Sequence, residues 1–173
     1  MSPLVEKWTH YRDTRSGDYA FRCRTRFKGV ADRLFAMGLN NSHTIVDVGA
    51  GSCQFGRYLR ERGFQGEYMP IDAVIDGTDL EKWVPLRRYD FFVCIEVVEH
   101  LHNPGLLMAS LLRAARVGVV VTTPNSEAVD VLGCDPTHVS VVEPDILSVY
   151  FTVERHTWFG VPNDSLLAWR QHA

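Results

Sequence analysis

The sequence predicts an α/β chain built on a doubly wound sheet of six or seven strands, mostly parallel and closed by an antiparallel C-terminal hairpin. Three observations carry this reading. Strand-like and helix-like segments alternate along the chain. The β-branched run at Thr44–Val48 passes through Gly49 and Gly51 into a helical segment. The last two strand-like segments, VYFTVERHTWF and SLLAWRQ, are joined by the turn-forming GVPND. Strands are expected at 44–49, 67–71, 90–95, 117–122, 149–158 and 165–171, and helices near 19–38, 54–63, 103–115 and 143–148.

Composition bounds the possibilities. A chain of 173 residues suffices for one domain with a true core, and 46% hydrophobic with 23% charged residues is ordinary globular usage. Residues 1–173 are therefore expected to form a single domain. No apolar run is long enough to span a bilayer, and MSPLVEKWTHYRDTR lacks the apolar stretch of a signal peptide, so membrane insertion is not expected and a cytoplasmic location is. Cys23, Cys53, Cys94 and Cys134 have no C-x-x-C spacing and read as reduced thiols.

The N-terminal segment, residues 1–42, carries eight Lys and Arg against four acids. Arg22, Arg24 and Arg26 interleave with Tyr11, Tyr19, Phe21 and Phe27, a composition that suits phosphates or bases. The competing reading, which we favour, is an amphipathic helix ending in VADRLFAMGL that packs on the sheet with its basic face in water.

The most informative segment is TIVDVGAGSC, a buried strand followed by a tight glycine turn and a helix, the arrangement of a nucleotide-type cofactor site. Gln54 stands where a dinucleotide fingerprint requires its third glycine, which disfavours NAD. A second strand ends at Asp72, twenty-one residues beyond Gly51, the distance at which an acid accepts hydrogen bonds from ribose hydroxyls; capping a following helix is the alternative. Only sixteen residues, 73–88, then precede the apolar strand YDFFVCI. Each parallel crossover needs about a dozen residues, so the region after strand two is shortened. Either IDGTDL forms a short third strand, with Asp79 placed to accept from an adenine amino group, or the edge strand is lost and Asp79 caps LEKW.

The form Asp47-x-Gly49-x-Gly51 resembles the first motif of class I S-adenosylmethionine-dependent methyltransferases, with Cys53 at the family's third glycine. YDFFVCIEVVEHLHNP is similar to the D-x-x-x-x-x-E-V-x-E-H-x-x-x-P region of small-molecule, ubiquinone-type methyltransferases, and VTTPN to their T-x-P-N motif. The resemblance implies a Rossmann-like fold, S-adenosylmethionine as cofactor, and a cofactor-binding set of Asp47, Gly49, Ala50, Gly51, Cys53, Asp72, Asp79, Ile95 and Glu96. It places residues 1–42 as a helical cap over the substrate, with Trp8, Tyr11 and Tyr19 offering aromatic surface. With so short a cap, the site is shallow, completed by a second subunit in a homodimer, or open to a large acceptor.

Oxygen acceptors need a proton removed, and histidine suits that task. His138 is the first candidate and His100 the second, with Glu99 beside them. His102, His156 and His172 read as structural or exposed. The function expected is methyl transfer to an acceptor, first of all an oxygen on a small or carrier-linked molecule. Two alternatives stand. Glu96, Glu99 and His100 have i, i+3, i+4 spacing and with His138 offer a divalent-metal set, similar to that of the small-RNA 2′-O-methyltransferases, which would make RNA the acceptor. The metal-free reading is preferred, since E-x-x-E-H also occurs in metal-free relatives. The other alternative is a degenerate cofactor-binding partner subunit without catalysis.

Overall fold

The computed structural model describes residues 17–172. Helix α1 (Gly17–Ala36) is followed by β1 (Thr44–Val48), α2 (Gln54–Glu61), β2 (Glu67–Ile71) and the short α3 (Ala73–Asp76). Then come β3 (Tyr89–Ile95), a 3-10 turn at Val98–His100, α4 (Pro104–Ala114), β4 (Ala115–Pro124), the short α5 (Val131–Cys134) and α6 (Pro144–Ser148), and finally β5 (Thr152–His156) and β6 (Ser165–Gln171). The six strands form one sheet of order β2-β1-β3-β4-β6-β5. The first four are parallel, and β6 and β5 run antiparallel, so the terminal hairpin inserts its last strand beside β4.

Strand alternation divides the core into two layers. Ile45, Phe91, Val93, Val120 and Leu167 face α1 and α2, whose Val30, Leu34, Phe55 and Leu59 meet them. Val46, Val48, Phe92, Cys94, Val119 and Val121 face the other way, against Leu107, Leu111 and Leu147 of α4 and α6. Both sheet faces are covered, which is why the central strands read as continuous apolar runs.

The shortened region resolves as loss of the edge strand. Residues 73–88 form α3 and turns, leaving β2 at the sheet edge, where Pro70, which lacks an N–H, is tolerated. Leu80 and Trp83 from this segment pack with Met69 and Ile71 and cover the face that a crossover helix would cover.

On α1, Cys23, Phe27, Val30, Ala31 and Leu34 are buried at helical spacing. Arg24 pairs with Glu61, Lys28 with Asp32 and Arg33 with Glu154, as the amphipathic reading of this segment expects, but Arg26 departs from it, buried and paired with Glu96. Trp8 and Tyr11 lie outside the described residues, and of Tyr19, Phe21 and Arg22 only the backbone is described. Among the described residues, no helix is long and apolar enough to cross a membrane.

The hairpin turn is organised by one buried carboxylate. Asp164 accepts hydrogen bonds from the backbone N–H groups of Trp158 (2.8 Å), Phe159 (2.7 Å) and Val161 (3.1 Å) and from the Ser165 hydroxyl. This explains why β5 stops at His156, short of the expected 158. Asp164→Ala orphans three backbone donors and is expected to lower stability by at least about 2 kcal/mol, read as a shift of the urea midpoint at constant slope.

Candidate active site

The parallel strands place their C-terminal ends together, and the chain direction reverses across the sheet between β1 and β3, the switch point where open α/β sheets bind ligands. The loop after β1 and the loop after β3 meet there. Gly49 (φ +77°) makes the meeting possible, because a Cβ on it would lie 2.3 Å from a Val97 methyl group. Gly51 (φ +54°) is left-handed for a different reason: a Cβ there meets nothing within 4 Å, so the residue borders open space. Cys53 also holds a left-handed conformation (φ 57°) at the N-cap of α2, without a side-chain cap bond. The conformation explains why a glycine suits this position, and holding a cysteine there costs about 1–2 kcal/mol.

Two acids hold the turn from below. Asp47 is 2% exposed and accepts from the Tyr68 hydroxyl. Burial pushes its carboxyl up to about 7; the Tyr68 hydrogen bond opposes that rise, and Asp72 adds to it. Asp72 accepts from the Gly51 N–H at 2.8 Å and from the Val74 N–H at 2.9 Å, so it clamps the turn and caps α3 at once. The capping reading of Asp72 is thus met, by a carboxylate that also touches the glycine turn. Asp79, by contrast, accepts from the Glu81 N–H and pairs with Lys82 at 2.9 Å. It caps a turn, as the second reading of this segment expects, and lies on no strand.

After β3 the backbone bends sharply. Glu96 is left-handed (φ 53°), and its N–H donates to the Thr122 carbonyl (3.1 Å), with Thr122 Oγ1 at 3.2 Å. Its carboxylate accepts from Thr122 Oγ1 (2.9 Å) and pairs with Arg26 (2.9 Å), a buried guanidinium that also lies over the Phe159 ring. This corrects the expectation that Glu96, Glu99 and His100 converge. The 3-10 turn begins only at Val98, and the bend at Glu96 sends its side chain to α1 instead.

Glu99, His100 and His138 do converge, and one ligand atom from each falls within 4.8 Å of the others. The loop after β4 is tied to the 3-10 turn by Val139 and Ser140 N–H groups donating to the Glu99 carbonyl, and this carries His138 inward. Glu99 is fully buried. Its Oε2 accepts from Thr123 (3.2 Å), while Oε1 has no hydrogen-bond partner and lies 4.0 Å from His138 Nε2. Burial, then the nearby Glu96, pushes the Glu99 carboxyl well above the usual range. His138 Nδ1 lies 2.6 Å from the Val131 carbonyl; donating there leaves the lone pair on Nε2, toward Glu99. His100 Nδ1 lies 3.2 Å from the Thr137 carbonyl, and the two imidazoles are 4.8 Å apart, centre to centre. His102 is exposed beside Glu81, and His156 stacks on Trp158, as expected of structural histidines.

Of three further residues in this region, Tyr68 was not singled out in the sequence, Thr122 stood only within VTTPN, and Arg26 only among the interleaved arginines of the N-terminal segment. A glycine inside the α2 segment QFGRYLRE was the available signal for the first, since it marks a close approach. Arg26 carries no such sign among the neighbouring arginines.

The sequence matches the methyltransferase domain family over residues 21–172. No curated protein matches it. In fold the chain is similar to a SAM-dependent methyltransferase from Archaeoglobus fulgidus, with TM-score 0.65 and 16% identity over 91% of this chain and 100% of that one. It is similar to the Burkholderia thailandensis 1,6-didemethyltoxoflavin-N1-methyltransferase, solved with its substrate and S-adenosylhomocysteine, at TM-score 0.62 and 13% identity over 99% of this chain and 91% of that one. It is also similar to the small RNA methyltransferase HEN1, at TM-score 0.64 and 15% identity over 87% of this chain and 25% of that one. At such identities the structural likenesses speak to the fold. The family match spans most of the chain, and the chain belongs to the methyltransferase domain family.

Proposed function

We propose that the chain transfers the methyl group of S-adenosylmethionine to a hydroxyl oxygen, with His138 taking the acceptor's proton. The residues present fit this cofactor: the open space at Gly51 gives a cradle that any Cβ would enter, and Asp47 and Asp72 offer carboxylates beneath it. Asp47 and the glycine turn would hold the methionine end, Asp72 the ribose, and Ile95 with the backbone of Glu96 would line the opposite side, the Glu96 carboxylate being committed to Arg26 and Thr122. The cofactor supplies an already activated methyl group, so the protein's task is to align an acceptor, exclude water and move one proton.

The observation that carries the proposal is the Glu99–His138 pair. Its facing atoms, 4.0 Å apart, are close enough for one acceptor oxygen at about 2.8 Å from each. His138 Nε2 takes the proton and the Val131 carbonyl keeps Nδ1 oriented, while the positive charge formed on the imidazole draws the neighbouring Glu99 carboxyl, raised by burial, back toward its ionised form. His138→Ala is expected to retain S-adenosylhomocysteine binding within about twofold and to lower turnover by about 10²–10⁴-fold, measured by calorimetry and methyl-transfer assay on an active acceptor. Unchanged turnover would remove His138 from the chemistry. Intact cofactor binding without turnover on any hydroxyl acceptor would favour the non-catalytic partner subunit.

A second reading, metal-dependent methylation of an RNA 3′ end, is favoured by the donor set itself. Two imidazoles and a buried carboxylate oxygen without a hydrogen-bond partner suit a divalent ion. Ligands about 2.1 Å from one ion lie at most about 4.2 Å apart, which the Glu99–His138 separation meets and the full set approaches. A metal there would hold and polarise acceptor hydroxyls. This reading predicts saturable Mn²⁺ binding lost in His100→Ala, and RNA methylation abolished by chelator. The first predicts activity indifferent to chelator.

A further inference from the structure

We propose that Tyr68 is a positioning residue of the cofactor site, its hydroxyl holding the Asp47 carboxylate in the orientation that receives the cofactor's cationic methionine end. The inference rests on residues 47–53 being the cofactor turn.

Tyr68 lies on β2 in register with Ile45, two residue pairs from Asp47 and its partner Pro70 along the ladder and so on the same face of the sheet as Asp47. Its side chain packs on the α1 and α2 side of the sheet, and its hydroxyl donates to Asp47 Oδ2. The ring reaches that position because residue 56 is glycine. A Cβ on Gly56 would fall 2.5 Å from Tyr68 Cε1 and Cζ and 2.9 Å from its oxygen. Glycine inside a helix is otherwise unfavourable relative to alanine, and here the tyrosine ring accounts for it. Burial and the neighbouring Asp47 push the Tyr68 hydroxyl far above its ordinary range, so it remains a donor at any working pH.

The surroundings of Asp47 say what the hydrogen bond is for. Around it are Tyr68 from β2, Asp72 just after β2 and Cys53 from the turn. None of these is a cation. Arg57 acts on Cys53 and donates to the Ser52 carbonyl. A buried carboxylate among neutral and acidic groups is pushed toward its protonated form, and the Tyr68 donor counters this. A cationic ligand then completes the charge balance.

The sign follows. Below about pH 7 the free protein holds a proton on Asp47 that a cationic ligand must displace, so affinity falls as pH drops. Removing the tyrosine hydroxyl leaves burial unopposed and moves this midpoint to higher pH. The test is calorimetric titration of S-adenosylhomocysteine, which keeps the cationic end, between pH 5.5 and 8.5. Tyr68→Phe should bind about tenfold weaker at pH 7, with its midpoint shifted alkaline and affinity recovering toward pH 8.5. Asp47→Asn should bind weakly at every pH in the range. If Tyr68→Phe keeps wild-type affinity and midpoint while Asp47→Asn loses affinity, the role of Tyr68 is overturned and the cofactor turn stands. If Asp47→Asn also binds as wild type does, the turn itself is wrong, and the inference falls with it.

Discussion

Val97 sits against the backbone of Gly49, in space that a single Cβ would occupy. Much of the site depends on that contact. It brings the exits of β1 and β3 together across the point where the sheet changes direction, so that one crevice is bounded by the glycine turn on one side and the Glu96–His100 bend on the other. Because Val97 is packed inward, the chain on either side of it diverges. Glu96 turns toward α1 and Arg26, whereas Glu99, one 3-10 turn later, is buried beneath His138. Backbone packing therefore sends two acids within four residues to different partners, Glu96 to Arg26 and Glu99 to the neighbourhood of His138.

Three carboxylates are drawn out of water around this crevice, and each is handled differently. Glu96 has a buried guanidinium and a threonine hydroxyl. Among the described residues Asp47 has a tyrosine hydroxyl and no cation, and its carboxyl rises to about 7. Glu99 has Thr123 on one oxygen and nothing donating to the other. Burying charge without full compensation is costly, and groups kept in that state cluster at functional sites. Of the two incompletely compensated acids, one lies on β1 just before the proposed cofactor turn and the other in the 3-10 turn beside His138.

The central strands, the terminal hairpin and the glycine turn were legible because each has a local physical cause: continuous apolar runs, GVPND, and glycines at left-handed positions. Counting showed the region after strand two to be shortened, since sixteen residues cannot make two crossovers, but left a short third strand possible, and the choice between that and a lost edge strand came from the structure. What was not legible depended on long-range placement. The spacing of Glu96, Glu99 and His100 fits a continuous helical turn, but the bend at Glu96 and the pull of Arg26, seventy residues away, defeat it. Tyr68 carries no motif at all, and its relation to Asp47 exists only because two parallel strands and Gly56 bring them together. His138 was placed in the right loop by its sequence, although its partnership with Glu99 required the hydrogen bonds from residues 139 and 140.

The central claim is that the crevice between the β1 and β3 exits is where the cofactor binds. Backbone amide chemical shifts, followed while S-adenosylhomocysteine is added to the labelled protein, test this most directly. Saturable changes concentrated at residues 49–53, 72–74 and 95–97 are the predicted result. No saturable change, or changes centred on the far ends of the strands, would contradict it.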